Sequence, residues 1–176
     1  MPAPIPRGAV MCFFNDVLRE LEAGGRLTRV SSLKSEIGDN PLFTLTWNGT
    51  PLLVFHPGVG APLAAGFLEE VIALGVSSFI ACGGAGVLNR DIVAGHPVVL
   101  TAAVRDEGTS YHYLPPAREV EPSPRAVTAL EQTLQARGVA YLAGKAWTTD
   151  AIYRETAARR AARMAEGCVV VEMEAA

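Results

Sequence analysis

Two carboxylates, Glu172 and Glu174, flank Met173 in "VVVEMEAA", residues 169–176. Three β-branched apolar residues precede them, the composition of a strand buried on both faces. Acidic side chains delivered to the end of such a strand must be solvated or bonded to a polar partner. Residues two apart on a strand point the same way, so both carboxylates would share one side with Met173 opposite. If the chain instead turns into a helix at Met173, the three side chains fan out around a cavity. A carboxylate accepts charge-assisted bonds from vicinal hydroxyls, which makes a sugar a suitable partner for the pair. A plain helix N-terminus, whose dipole favours glutamate, accounts for the same residues without a ligand.

Two glycine-rich turns are further candidates, "HPGVG" (residues 56–60) and "CGGAG" (residues 82–86). In "GVGAPLAAG" Leu63 holds the place of the third glycine, so the dinucleotide fingerprint fails, and neither turn carries the lysine of a P-loop. At a strand end, Gly83 and Gly84 still allow bare N–H groups to approach an anion or a sugar. Asn15 and Asp16 follow the apolar run "AVMCFF", where they serve as a helix cap or as a polar group at a strand end. His112 lies in "RDEGTSYHY", a polar and aromatic stretch of the kind that forms lids or subunit contacts. His56 and His96 each precede a proline at a strand edge, which favours a structural role. No GxSxG elbow, HExxH pair or cysteine-ligand spacing is present, so neither a metal nor a cofactor is expected.

These groups need elements to position them. Buried strands are expected at residues 9–14, which are unbroken apolar, and 77–81, with further strands at 98–104 and 139–147 and a final one at 169–172. Residues 42–47 and 51–55 flank Asn48-Gly49, a strong two-residue hairpin signal. Helices are expected over "VLRELEAGG", from about Pro62 to Leu74, from Ser123 to Arg137 with Ser123 as cap, and from Ile152 to Glu166. Helical spacing from Arg154 to Arg163 makes those arginines a solvated face. Strands alternating with helices argue an α/β fold with a mixed, mostly parallel sheet covered on both sides, where ligands collect at the carboxyl ends of strands.

At 176 residues the chain is expected to form a single domain. Its net charge of −3 lacks the basic footprint of a nucleic-acid binder, and no apolar run reaches the length of a membrane span. Cys12, Cys82 and Cys168 read as buried reduced thiols, which places the protein in the cytoplasm.

Together these segments resemble the nucleoside phosphorylase and nucleosidase family, the group of uridine phosphorylase, hexameric-type purine nucleoside phosphorylase and methylthioadenosine nucleosidase. "VVVEMEAA" resembles its ribose motif, and "FHPGVGAPLAAGFLEEVIALGVSSFIACGGAGVL" resembles its glycine helix, next strand and glycine loop in order and spacing. The likeness runs from Ala9 to Ala176. It implies a three-layer α/β/α fold with a mixed, mostly parallel central sheet. It implies cleavage of the N-glycosidic bond of a nucleoside, releasing free base and ribose 1-phosphate, with phosphate as co-substrate and no other cofactor. Glu174 would bond the ribose hydroxyls, Met173 would pack under the sugar and Glu172 would lie beside them. Gly83 and Gly84 would line the ribose and phosphate end, Tyr153 in "TTDAIY" the base-stacking wall. His112 would fall in a subunit-contact segment of a homodimer or higher homo-oligomer.

Two departures from the family accompany the likeness. Ala81 and Gly84 stand where phosphorylases place an arginine and a hydroxyl on the attacking phosphate, and a dianion loses charge-assisted bonds of roughly 1.5–3 kcal/mol each without them. Water as nucleophile with Asp16 as its base, or a nucleoside-binding protein with impaired catalysis, therefore stay open as alternatives. Family members also continue past the acidic motif, so the chain is expected to lack the C-terminal strand and helix of the domain.

Overall fold

The structure, a computed structural model, describes residues 5–176. The first four residues of the proline-rich lead lie outside the described residues. Contacts group the chain into two units, Met1–Gly84 and Ala85–Ala176, each with its own five-stranded mixed sheet. The mixed α/β character is as expected, but the strands belong to two sheets rather than to one central sheet.

In the first unit, β1 (Gly8–Cys12) pairs in parallel with β4 (Thr50–Phe55) and β5 (Ser78–Cys82). Two antiparallel strands, β2 (Thr28–Ser35) and β3 (Gly38–Trp47), extend the sheet in the order β2-β3-β4-β1-β5. The β3–β4 hairpin turns at Asn48 and Gly49, both at positive φ (48° and 78°), the twist that a two-residue connection needs. Strand alternation sorts the core to two faces. Met11, Leu42, Leu53 and Phe55 pack with Phe67 and Val71 of helix α2 (Ala61–Ala73). Cys12, Phe43 and Val54 pack with Leu18 of helix α1 (Asn15–Ala23). The two helices therefore cover opposite faces of this sheet. Each fully buried Leu or Phe stabilises it by about 1.5–3 kcal/mol.

The second unit has the order β6-β10-β9-β7-β8. β7 (Val98–Asp106), β9 (Leu142–Thr149) and β10 (Cys168–Glu172) run parallel, and the short strands β6 (Gly86–Val87) and β8 (Glu119–Val120) close the edges antiparallel. Val104, Trp147 and Val171 pack on one side with Leu88 and Cys168, and Ala103, Ala146 and Val170 on the other. Helix α3 (Pro124–Ala136) starts after Ser123, the expected cap residue, although the Ser123 side chain makes no capping bond.

The helix expected over residues 152–166 is broken. A 3-10 turn spans Ile152–Arg154, and helix α4 (Ala157–Ala165) begins separately behind Thr156, whose hydroxyl accepts the Arg159 N–H at 3.4 Å. The threonine supplies an N-cap in mid-run, and such a cap starts a helix rather than continuing one. Among the described residues no helix is long and apolar enough to cross a membrane.

Candidate functional site

β10 ends at Glu172, and the backbone bends through Met173 and Glu174. The two glutamates therefore do not sit two apart on one strand face. Register pairs Glu172 with Thr148 at the neighbouring end of β9. The Thr148 hydroxyl donates to one Glu172 oxygen at 2.5 Å, and the N–H groups of Glu174 and Ala175 both donate to the other at 2.6 Å. Accepting the second and third amides that follow is the geometry of a helix N-cap, here made by a carboxylate. Burial pushes the Glu172 carboxyl above the ordinary carboxylate range, and the nearby Glu174 charge adds to it, against the pull of the hydroxyl and both amides. Met173 and Glu174 follow on this tethered turn, both half-buried.

The last residues of β9 and its exit fasten other segments in the same way. Thr149 accepts the Ala151 N–H at 3.2 Å, and Asp150 accepts the Gly108 N–H at 3.0 Å. Gly108 opens the stretch that carries His112. That stretch is not a loose lid. Buried Arg105 donates to Ser110 Oγ at 2.7 Å and to the carbonyls of Pro115 (2.8 Å) and Leu114 (3.4 Å), and its guanidinium lies 3.9 Å over the Tyr111 ring. Glu107 is buried beside it and accepts both the amide and the hydroxyl of Ser110. His112 ends the 3-10 turn Thr109–His112, exposed. Tyr153 is 94% exposed in the turn after β9.

Arg154 and Arg159 are exposed, as a solvated face requires, but Arg160 and Arg163 turn toward the protein. Arg163 Nε donates to Asp106 at 2.6 Å and Arg160 donates to the Leu88 carbonyl at 2.7 Å. Arg118 closes a ring, binding Asp106 at 2.7 Å and Glu166 at 2.8 and 3.1 Å, while Arg163 also reaches Glu166 at 3.1 Å. Burial alone would raise the Asp106 carboxyl, but hydrogen bonds from Arg118 and Arg163, with their charges, hold it below the usual range. The Glu166 hydrogen bond raises Arg118 in turn. This ring holds α4 to the end of β7.

In the first unit, helix α1 starts one residue earlier than a cap at Asn15 requires and two earlier than a cap at Asp16 requires. Phe14 is the N-cap residue and makes no side-chain bond. Asp16 instead lies in the first helical turn, where the dipole favours an acid, with its side chain 90% exposed and 3.4 Å from Arg19. Gly83 follows β5, and a Cβ there would lie 3.0 Å from the Phe13 ring, so a larger residue would make that ring give by a few tenths of an ångström. Gly84 has more room, 3.7 Å from the Phe14 ring. His56 has the expected structural part, accepting the Gly58 N–H at 3.0 Å and meeting Phe13 edge-on. Cys12 and Cys168 are buried, but Cys82 is exposed because the β5 end carrying it is open.

The structure thus brings Glu172, Met173 and Glu174 onto one tethered turn and leaves Tyr153, His112 and Asp16 at the surface. Thr148, Asp150 and the Arg105–Glu107–Ser110 cluster lie in "TTDAIY" and "RDEGTSYHY", which sequence reasoning singled out as segments without naming these residues. Their one advance signal is polar residues at the ends of otherwise apolar strands.

Relatives agree with this architecture. A guanosine phosphorylase of Halorubrum lacusprofundi is 30% identical over 138 residues, covering 75% of this chain and 57% of the relative. A uridine phosphorylase of Thermococcus kodakarensis is 30% identical over 153 residues, covering 82% and 55%. The chain spans about half the length of the curated relatives it matches. Among solved structures, a uridine phosphorylase from Vibrio fischeri superposes with TM-score 0.83 at 25% identity, covering 97% of this chain and 70% of that one. A Toxoplasma gondii purine nucleoside phosphorylase in complex with immucillin-H superposes with TM-score 0.82 at 21% identity, covering 97% and 68%, which bears on the fold alone. The sequence profile of the phosphorylase superfamily matches residues 9–176, nearly the whole chain, and the protein belongs to that superfamily.

Proposed function

We propose that the protein cleaves the N-glycosidic bond of a nucleoside by phosphorolysis, releasing the free base and ribose 1-phosphate. Superfamily membership and relatives named guanosine and uridine phosphorylase support this reading. The observation that carries it is the tethered turn after β10, which presents a carboxylate, Glu174, at the end of a buried parallel strand. Breaking the bond builds oxocarbenium character on the ribose. A carboxylate on the sugar hydroxyls favours that charge more than it favours the ground state. In this reading Glu174 is catalytic, Met173 packs against the sugar, Glu172 holds their turn, Tyr153 lines the base end, and His112 binds substrate from a subunit-contact segment.

Orthophosphate is the co-substrate, contacted near Gly83 and Gly84, and no other cofactor takes part. The single family match runs across Gly84 and Ala85, which supports treating both units as one domain. The protein works in the cytoplasm as a homodimer or higher homo-oligomer, and sedimentation as a monomer would overturn that part. Water with Asp16 as base is the second reading, favoured by Ala81 and Gly84 in place of an arginine and a hydroxyl.

The test is to incubate the purified protein with uridine, guanosine, adenosine and inosine, with and without orthophosphate, and to measure free base by chromatography. Base release that requires phosphate supports phosphorolysis, and release indifferent to phosphate moves the reading to hydrolysis. Glu174→Ala should abolish either. If no nucleoside yields base, the proposal fails.

A further inference from the structure

We propose that Thr148 is a positioning residue that sets the orientation of Glu174 through Glu172. Its kinetic consequence rests on the nucleoside-cleaving reading above, whereas its geometry does not. Thr148 is fully buried, at 0% exposure, between apolar Trp147 and Thr149 on a central strand. Valine has nearly the same shape and would suit such a place without a hydroxyl to satisfy. The hydroxyl is satisfied by one group, Glu172, which the parallel register sets beside it.

A carboxylate offers about four acceptor sites, and the protein's own donors fill three of those on Glu172. Glu172 is therefore committed to the turn, and in the nucleoside-cleaving reading Glu174 is the carboxylate on the ligand hydroxyls. The chain of contacts has a direction. Thr148 O–H fixes the rotation of the Glu172 carboxylate, that rotation aims its second oxygen at two amides, and those amides fix where Met173 and Glu174 leave the strand. Without the hydroxyl, the carboxylate is free to turn about its terminal torsion, which is broad and only loosely two-fold. The buried carboxyl then has water as its competing partner and the two amides lose a steady acceptor.

Thr148→Val and Thr148→Ser separate the hydroxyl from the packing. The first readout is amide hydrogen exchange, measured residue by residue by NMR on the purified protein. The valine variant is expected to exchange about tenfold faster than wild type at Glu174 and Ala175, the size of one lost hydrogen bond. Val170 in the strand should be unchanged, and the serine variant should match wild type. The second readout is steady-state cleavage of whichever nucleoside the wild type accepts. The valine variant should lose ten- to hundredfold in kcat/KM with kcat lowered more than KM is raised, and serine should restore it. If the valine variant does not fold, Thr148→Ala gives the same two readouts.

Wild-type exchange rates at Glu174 and Ala175 in the hydroxyl-free variant overturn the proposal, as does unchanged kcat/KM. A wild-type protein that cleaves no nucleoside defeats the functional reading instead. In that case the exchange rates alone decide whether Thr148 positions the turn.

Discussion

Replacing Asp106 by asparagine keeps the side chain's shape while removing its charge and one acceptor oxygen. Asp106 and Arg163 are each only 16% exposed, and their bond at 2.6 Å fastens α4 to the end of β7. Charge-assisted hydrogen bonds stabilise by roughly 1.5–3 kcal/mol each. Arg118 is 43% exposed and keeps both of its bonds to Glu166, so its share is discounted for solvent screening. Arg163 keeps the 3.1 Å contact to Glu166 and its place 5.8 Å over the Trp147 ring. The expected loss is about 2–3 kcal/mol, which for a chain of this size lowers Tm by about 4–12 °C. Asp106 is held below the ordinary carboxylate range by its two arginines. Its contribution is therefore complete above the unfolded carboxyl's pKa of about 3.9 and fades as pH falls through the lower folded value. Asparagine does not titrate, so the gap in Tm between wild type and variant should be widest near neutrality and close below about pH 4. Thermal unfolding followed by circular dichroism from pH 3 to 7 measures both. A variant that melts within about 1 °C of wild type at pH 7, or a gap that grows on acidification, would refute the claim that this carboxylate anchors α4.

Two other outcomes are expected from the same physical reading. With a thiol-specific colorimetric reagent at pH 8, exposed Cys82 should react first and Cys168 last, because burial pushes the Cys168 thiol up to about 11 and leaves roughly a thousandth of it as thiolate. Mass spectrometry of the singly modified protein with label on Cys168 would contradict this. Gly58→Ala should lower stability by about 1–3 kcal/mol, since residue 58 has φ +84° and a Cβ there would run into the Leu63 side chain. An alanine variant with the wild-type denaturant midpoint would show that the "HPGVG" turn relaxes freely.

Most elements could be read from sequence because local chemistry decided them. Asn48-Gly49 demanded a hairpin, since few other pairs accept positive φ at both positions. β2 escaped because "TRVSSLKS" has one buried residue, Leu33, and lies at the sheet edge. A register shift between Arg29 and Ser31 also breaks its alternation. Residues 152–166 read as one helix because alanine and arginine favour helix throughout, and propensity does not register a cap within the run. Thr156 does, by accepting the Arg159 N–H and starting the helix afresh.

The site shows the deeper limit of reading along a chain. Helical spacing correctly puts Arg160 and Arg163 on one face, yet says nothing of what that face meets. The partner of Arg163 is Asp106, 57 residues earlier, brought there by parallel pairing of β7 with β9 and of β9 with β10. Glu172 and Glu174 raise the same difficulty at shorter range. Their spacing invites the assumption of a shared strand face, and the assumption holds only while the strand continues. A hydroxyl on β9, 24 residues before Glu172, holds the carboxylate that folds back on the amides beyond it and gives the two acids different surroundings. Types and spacing therefore single out the acidic pair, while the different surroundings of its two members are set by strand register. That is why the partner of Glu172, Thr148, becomes visible only once β9 and β10 are paired.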